Sequence, residues 1–137
     1  VTKKKFFNYP KNVRILNDIG EIKLKKLYQN AKLTIIPSKK VLSENAGMSC
    51  VMQSMACGTP VITSDLLPLK EKFKNQDEIL FYRTGSITSL RNMISKSYNN
   101  NNLLKKISKN AIKKINTKYN YLKLSEQLNK HILSLCK

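Results

Sequence analysis

The amino-acid sequence predicts an α/β fold in which helices flank a parallel sheet and a helical tail follows it. Short apolar runs of strand length alternate along the chain with segments whose apolar residues recur at helical spacing. The strand-length runs contain few polar residues, which is typical of strands buried on both faces of a parallel sheet. Alternation of strand and helix implies right-handed crossovers. The length of 137 residues suits a single domain with an apolar core.

The first half of the chain carries three predicted strands and two predicted helices. The strands are expected at Val13–Leu16, Lys32–Ile36 and Val61–Thr63, and the helices from Gly20-Glu21 onward and over Met48–Cys57. Pro37-Ser38 ends the second strand, and a polar loop then leads from Lys39 to Gly47. Gly58 follows the second helix at the usual C-terminal position, and Pro60 comes shortly after it.

The second half contains one further predicted strand and is otherwise helical. A short helix is expected over Leu67–Phe73, a strand over Glu78–Tyr82, and longer helices up to Tyr98, over Leu103–Ile115 and over Tyr121–Leu135. Ser86 or Thr88 is the expected cap of the helix that ends at Tyr98. The asparagine run Asn99–Asn102 is interpreted as a linker or turn between helices.

The two tail helices each carry an apolar stripe, which we expect to be core. The first stripe consists of Leu104, Ile107, Ala111 and Ile115, and the second of Tyr121, Leu124, Leu128, Ile132 and Leu135. The first tail helix also has a basic face, made of Lys105, Lys106, Lys109 and Lys113. That face is either solvated or lies on acidic lipid.

The net charge of +18 admits three explanations. A basic surface binds nucleic acid, or it binds anionic lipid at roughly 1 kcal/mol per cation near the surface, or it reflects a genome rich in Lys, Asn and Ile codons. Arginine, which makes the bidentate contacts of sequence-specific nucleic-acid readers, occurs only at Arg14, Arg83 and Arg91. Nucleic acid is therefore the least favoured partner.

Cysteine usage and hydropathy indicate a protein of the cytosol. The odd number of cysteines, Cys50, Cys57 and Cys136, has no zinc or disulfide spacing and predicts free thiols. No apolar run reaches the roughly 20 residues of a membrane span, and none of signal-peptide length follows the basic start of the chain. We expect a cytoplasmic protein, with peripheral attachment to the cytoplasmic membrane face as a possibility set by its charge.

The segment from Pro37 to Ser64 has the pattern of an anion site. A strand ends, a polar loop turns, and a helix begins, which in open α/β sheets places a ligand outside the carboxyl ends of the strands. The first amides of a helix lack backbone partners and attract phosphate together with the helix dipole. The amides of Gly47, Met48 and Ser49 are the candidate phosphate donors.

Two polar side chains near this helix start are suited to sugar hydroxyls. Glu44 accepts hydrogen bonds but repels phosphate, and the Gln53 amide both donates and accepts. The alternative is that Glu44 is a loop charge and Gln53 a surface residue, and the residues alone favour neither interpretation.

The same segment resembles the C-terminal domain of GT-B glycosyltransferases of the large group-1 family, whose sheet is Rossmann-like. The residues that carry the resemblance are Pro37-Ser38, Glu44, Gly47 and the run from Gln53 through Met55-Ala56-Cys57-Gly58-Thr59-Pro60 to Ile62. The resemblance also takes in Val13–Leu16, Leu27–Leu33 and Leu66–Glu71, so it covers most of the chain and is most specific at its centre.

The resemblance implies a donor site for a nucleoside-diphosphate sugar. Glu44 takes the place of the family's first glutamate, which contacts the transferred sugar, and is the expected catalytic residue. Ser38, Gly47, Met48 and Ser49 are the expected donor-binding residues. Gln53 stands where the second glutamate binds ribose, one residue later than the family spacing, so a weaker or degenerate site is the alternative.

Parts of the family pattern are absent from the sequence. We expect residues 1–137 to be one donor-binding domain without its first strand–helix unit and without the N-terminal acceptor domain, so turnover by this chain alone is not expected. No Asp-x-Asp motif is present, so no metal cofactor is predicted. His131 is expected at the surface or in packing.

The predicted activity is transfer of a sugar to an acceptor hydroxyl in envelope glycan or glycolipid synthesis. The expected partners are the sugar donor, the N-terminal domain of the same enzyme and an anionic membrane surface. Two rival hypotheses are a non-catalytic relative kept as an interaction module, and a basic nucleic-acid-binding domain. The second rival lacks the basic patch interleaved with aromatic residues that single-strand binders use.

Overall fold

A computed structural model describes residues 10–38 and 47–135 of the chain. In these ranges six helices and three strands follow one another. They are α1 (Glu21–Asn30), β1 (Thr34–Ile36), α2 (Met48–Ala56), β2 (Val61–Ser64), α3 (Leu67–Lys72), β3 (Leu80–Tyr82), α4 (Ile87–Tyr98), α5 (Asn101–Lys118) and α6 (Tyr121–Leu135). The predicted α/β class and the helical tail are confirmed.

The three strands form one parallel sheet in the order β1-β2-β3. Ile35 is in register with Ile62 on the central strand, and Ile62 is in register with Leu80. All four residues of β2 are buried, as expected for a central strand covered on both faces. Because the strands are parallel, their carboxyl ends all lie on one side of the sheet, the carboxyl edge, and their amino ends lie on the opposite side, the amino edge.

Two apolar layers pack against the sheet. On one face Val51 and Met55 of α2 and Leu69 of α3 cover Val61 and Phe81. On the other face α4 contributes Leu90, Met93 and Ile94, which cover Ile62, Leu80 and Tyr82. The predicted stripe of α5 is confirmed as core, with Ala111 and Ile115 in the first layer and Ile107 in the second.

Helix α5 runs past the amino ends of the strands. Ser108 Oγ donates to the carbonyl oxygen of Gly58, which lies between α2 and β2, at 2.6 Å. Asn110 Nδ2 donates to the carbonyl oxygen of Asp77, just before β3, at 3.2 Å. The helix therefore packs across the amino edge of the sheet, opposite the carboxyl ends of the strands.

The predicted strand Val13–Leu16 is wrong. This segment has no strand structure, and Val13, Ile15 and Leu16 are about half exposed at 43%, 52% and 44%. Val13 N instead donates to the carbonyl oxygen of Pro10 at 2.8 Å. Apolar residues become a strand only where a neighbour pairs with their backbone groups, and no described strand lies alongside.

The predicted core role of α6 is also wrong. Tyr121, Leu128 and Ile132 are 83%, 53% and 54% exposed, whereas the side chains of Leu124 and Leu135 lie outside the described part of the chain. An apolar stripe shows what a helix is able to bury, but it does not supply a surface to bury it. His131 is exposed on the same helix, at the surface as expected.

Two helix starts are refined by their caps. Ser86, rather than Thr88, caps α4, because its Oγ accepts from the amide of Ser89 at 3.2 Å. The predicted turn in the asparagine run is confined to Asn99 and Asn100, because Asn100 caps α5 through its contact with the Leu103 amide and Asn101 and Asn102 are the first helical residues. Gly58 has the predicted positive φ, 81°, just after α2.

Candidate functional site

Polar residues gather at the carboxyl edge of the sheet. Ser38 follows β1, Ser64 and Asp65 stand at the end of β2, and Thr84 follows β3. The first turn of α2 reaches the same edge, because its Gly47 cap lies against Ser38. This is the edge at which open α/β sheets bind their ligands.

A buried hydroxyl links the three strand ends. Ser64 Oγ accepts from the amide of Ser38 at 3.0 Å and donates to the Ser38 carbonyl oxygen at 2.6 Å. The hydroxyl oxygens of Ser64 and Tyr82 are 3.0 Å apart, within hydrogen-bond distance. Ser64 is fully buried, so these contacts are shielded from water and fix the backbone that leads from β1 into the loop.

Gly47 sets the start of α2. Its φ of 82° is in the left-handed region, and a Cβ atom there would lie 2.9 Å from Ser38 Oγ and 3.1 Å from Ile36 Cγ2. Its carbonyl oxygen accepts from the amide of Val51 at 3.0 Å and so opens the helical ladder. Only glycine provides both this backbone conformation and this close approach.

The amino end of α2 is polar and accessible. Ser49 is exposed, Met48 is half-buried, and the first turn contains no acidic residue. The positive end of the helix dipole is thus not offset by a carboxylate of its own first turn. The arrangement is suited to an anion such as phosphate.

Asp65 adds an ionised carboxylate to the same edge. Its Oδ1 accepts from Thr84 Oγ1 at 2.7 Å and from the Thr84 amide at 2.8 Å. These bonds, chiefly that of the hydroxyl, hold the pKa of Asp65 below its ordinary value, and the charge of Lys70 acts in the same direction. The charge repels phosphate and suits groups that donate hydrogen bonds, such as hydroxyls and amides.

The predicted site residues are brought together in part. Ser38, Gly47, Met48 and Ser49 lie around the start of α2, where Ser38 contacts Gly47. Gln53 is exposed four residues after Ser49, so the two share one face of the helix. Glu44, the expected catalytic residue, lies outside the described residues.

Four residues at this edge were not predicted from the sequence: Ser64, Asp65, Tyr82 and Thr84. Each stands at or just beyond the carboxyl end of β2 or β3. Position at the end of a parallel strand is the signal that would have found them. Among residues 10–38 and 47–135, no three His, Cys, Asp or Glu side chains lie close enough to hold a metal ion, and no helix is long and apolar enough to cross a membrane.

Two solved structures share the fold. Sucrose-phosphate synthase from Thermosynechococcus elongatus superposes with a TM-score of 0.74 and 21% identity, over 88% of this chain and 29% of its own. The C-terminal domain of a group 1 glycosyl transferase (LpcC) from Francisella tularensis gives 0.62 and 18%, over 80% of this chain and 53% of its own. The chain thus spans about three tenths and about half of these two proteins.

The parallel α/β fold and the polar residues at its carboxyl edge are those of the C-terminal domain of a GT-B glycosyltransferase. The family model of the group 1 glycosyl transferases matches residues 2–114. The chain therefore belongs to that family, and the sequence resemblance is confirmed. No curated protein sequence matches it significantly.

Proposed function

We propose that this chain is the donor-binding domain of a glycosyltransferase that moves a sugar from a nucleoside diphosphate to an acceptor hydroxyl. The observation that carries the proposal is the close approach of Gly47 to Ser38, because it brings the amino end of α2 to the carboxyl edge of the sheet. Membership of the group 1 family supplies the reaction class, and the helix end supplies a place for the diphosphate.

In this proposal the domain acts mainly by electrostatics. Negative charge builds up on the diphosphate as the sugar leaves, and the amides of Gly47, Met48 and Ser49 offset it without reorganising. Ser38 lines the same edge, and Gln53 hydrogen-bonds the ribose. Glu44 contacts the transferred sugar in the role that the family resemblance gives it.

The wider assignment follows from what the chain spans. The structural neighbours extend well beyond the part that superposes on this chain, which supports an interpretation of residues 1–137 as one domain of a larger enzyme. We assign acceptor binding, and the arginine and lysine that grip the diphosphate in the family, to a first strand–helix unit and an N-terminal domain outside residues 1–137. Closure of such a cleft excludes water, so the single domain binds donor without turnover.

Envelope glycan or glycolipid synthesis on the cytoplasmic membrane face is the cellular role we propose. Its support is the net charge of +18, which attracts anionic lipid. No metal cofactor is needed in this scheme, because the helix amides offset the charge of the diphosphate.

Calorimetric titration with UDP, GDP and ADP tests the donor site. Gly47→Ala is the informative variant, because its Cβ would press on Ser38 Oγ at 2.9 Å in a left-handed backbone. Gly58→Ala is the matched control, since Gly58 has a φ of 81° and a Cβ there would lie 3.1 Å from Ile112 Cδ1, at the other end of the same helix. Glu44→Ala completes the set.

Donor binding predicts saturation by one diphosphate, lost in Gly47→Ala and retained in Gly58→Ala. Equal losses in the two glycine variants would mean that strain in α2, rather than the site, governs affinity. No binding by the wild-type chain at millimolar nucleotide would mean either that the first strand–helix unit is essential for affinity or that the site is dead, and a longer chain that includes that unit decides between them.

A further inference from the structure

The outward face of α5 carries a row of lysines at the amino edge of the sheet. Lys105, Lys109 and Lys113 follow one another at intervals of four residues, and all three are exposed. With a rise of about 1.5 Å per residue, the row is about 12 Å long. It lies on the side of the helix away from the buried stripe that contains Ile107 and Ala111.

Acidic neighbours neutralise the flank of α5 and leave the row alone. Lys106 Nζ lies 2.9 Å from Asp77 Oδ1, and Lys114 Nζ lies 3.2 Å from Glu78 Oε1. Of the ion pairs in residues 10–38 and 47–135, none includes Lys105, Lys109 or Lys113. Of the basic face predicted from sequence, Lys106 is therefore paired with Asp77, whereas the other three lysines have no ion-pair partner among the described residues.

An apolar groove of about 490 Å³ adjoins the row. Lys32, Lys105 and Lys109 are its cations, and Ile112 contributes exposed apolar surface next to the buried Pro60 and Leu104. No acidic residue in the described part of the chain lines the groove. Ile112 is 36% exposed although it belongs to α5, which packs against the sheet.

Positive charge beside exposed apolar surface matches the boundary region of an anionic bilayer. Lipid headgroups there neutralise lysines while the acyl boundary accepts apolar side chains. A polynucleotide would use the charge alone, and readers of nucleic acid rely on arginine forks and aromatic platforms. The row consists of lysines only, and the nearby Tyr98 ring is covered by Lys32 Nζ at 4.2 Å from its centre.

We infer that the α5 row with its groove is a docking surface for anionic phospholipid membranes. The surface lies beside Lys32 and Pro60, which precede β1 and β2, so it is opposite the carboxyl edge where the donor is proposed to bind. A membrane-bound domain thus keeps its donor edge open to a soluble nucleotide sugar. The inference deepens the membrane role in the proposed function and does not depend on the donor site.

Vesicle co-sedimentation tests this surface. The chain is mixed with vesicles of phosphatidylcholine alone or with phosphatidylglycerol, at about 0.1 M salt, where the screening length is about 10 Å. The row variant is Lys105→Gln/Lys109→Gln/Lys113→Gln. The matched control is Lys23→Gln/Lys25→Gln/Lys26→Gln, which removes the same charge from exposed positions of α1.

We expect binding to the phosphatidylglycerol vesicles only, falling on the order of a hundredfold in the row variant, at roughly fivefold per lysine. The α1 variant should stay within about threefold of the wild type. Equal losses in both variants, or no preference for phosphatidylglycerol, would overturn the inference. So would a single-stranded oligonucleotide that binds the row more tightly than the vesicles do.

Titration of the row variant with nucleoside diphosphate separates the two proposals. The surface and the donor edge lie at opposite ends of the strands, so nucleotide affinity should not change. Failure of vesicle binding with intact nucleotide binding removes the membrane surface alone, and the reverse pattern removes the donor site alone.

Discussion

The hydroxyl of Ser64 and the backbone of Ser38 are joined by two hydrogen bonds at the end of the sheet. The Ser38 amide donates to Ser64 Oγ at 3.0 Å, and Ser64 Oγ donates to the Ser38 carbonyl oxygen at 2.6 Å. Through this pair the central strand holds the backbone that leads from β1 toward the amino end of α2. The backbone beside the proposed diphosphate site therefore depends on a buried side chain.

Ser64→Ala should lower the free energy of unfolding by about 1–3 kcal/mol, because it leaves the backbone groups of Ser38 without this buried partner. Urea denaturation measures the loss. Ser125→Ala is the control, since Ser125 Oγ donates to the Leu122 carbonyl oxygen on an exposed helix and its loss should cost less than about 0.5 kcal/mol. Similar effects of the two variants would contradict a central role for Ser64.

The ion pair of Glu78 and Lys114 should contribute more to the free energy of unfolding than the ion pair of Asp77 and Lys106. The first pair is 11% and 14% exposed, and Glu78 Oε2 also accepts from the Lys74 amide at 2.9 Å, whereas the second pair is 38% and 58% exposed. Glu78→Gln keeps the acceptor and leaves Lys114 as a mostly buried unpaired charge, which should cost about 2–3 kcal/mol.

Lys106→Gln breaks the exposed pair and should cost less than about 1 kcal/mol, because water screens it. Thermal or urea unfolding of the two variants compares them directly. A larger loss in Lys106→Gln than in Glu78→Gln would show that burial does not rank these pairs.

Thr84→Val should make stability less dependent on pH in the acid range. The folded-state pKa of Asp65 lies below its ordinary value of 3.8, chiefly because the Thr84 hydroxyl donates to its carboxylate. That stabilisation is present above the ordinary pKa and is lost as the pH falls through the lower, folded-state pKa. The variant should be about 1 kcal/mol less stable at neutral pH, given that solvent screens the bond.

Urea unfolding at neutral pH and at successively lower pH measures this difference. It should shrink once the pH passes below the ordinary aspartate value, as the carboxyl group becomes protonated in both states. Thr88→Val, at an exposed position of α4, should show no such trend. A constant difference between wild type and Thr84→Val at all pH values would mean that the hydroxyl acts through packing.

The sequence predicted most of the elements because their local signals agree with their burial. Helix α2 has apolar residues at helical spacing and is followed by Gly58, whose positive φ is the conformation that a glycine after a helix predicts. The start of the site was predictable for the same reason, since Gly47 follows a polar loop at a strand end. The predictions that failed were those in which an apolar segment needs a second surface to pack against.

Val13–Leu16 and α6 are the failures, and both have apolar patterns without a described neighbour to bury them. The hydrogen-bond network of Ser64, Tyr82 and Asp65 was not predicted from the sequence for a different reason. Its bonds join residues 18 to 26 positions apart in sequence, and only the parallel order of the strands brings them to one edge.

Gln53→Glu tests whether the face of α2 beyond Ser49 meets the ribose. If Gln53 hydrogen-bonds ribose hydroxyls, a carboxylate there should raise the affinity for nucleoside diphosphate on the order of tenfold, because charge-assisted bonds are stronger. Calorimetry measures the change. The gain should vanish with a 2′,3′-dideoxyribose nucleotide, which lacks both hydroxyls.

Gln29→Glu is the matched control, since Gln29 is an exposed glutamine on α1 and the substitution adds the same charge. It should leave nucleotide affinity unchanged within about twofold, because water and salt screen a distant exposed charge. A gain that persists with the dideoxy nucleotide would contradict the ribose contact. A loss of affinity in Gln53→Glu would instead place Gln53 beside the diphosphate, since a carboxylate there would repel phosphate and weaken the anion site at the start of α2.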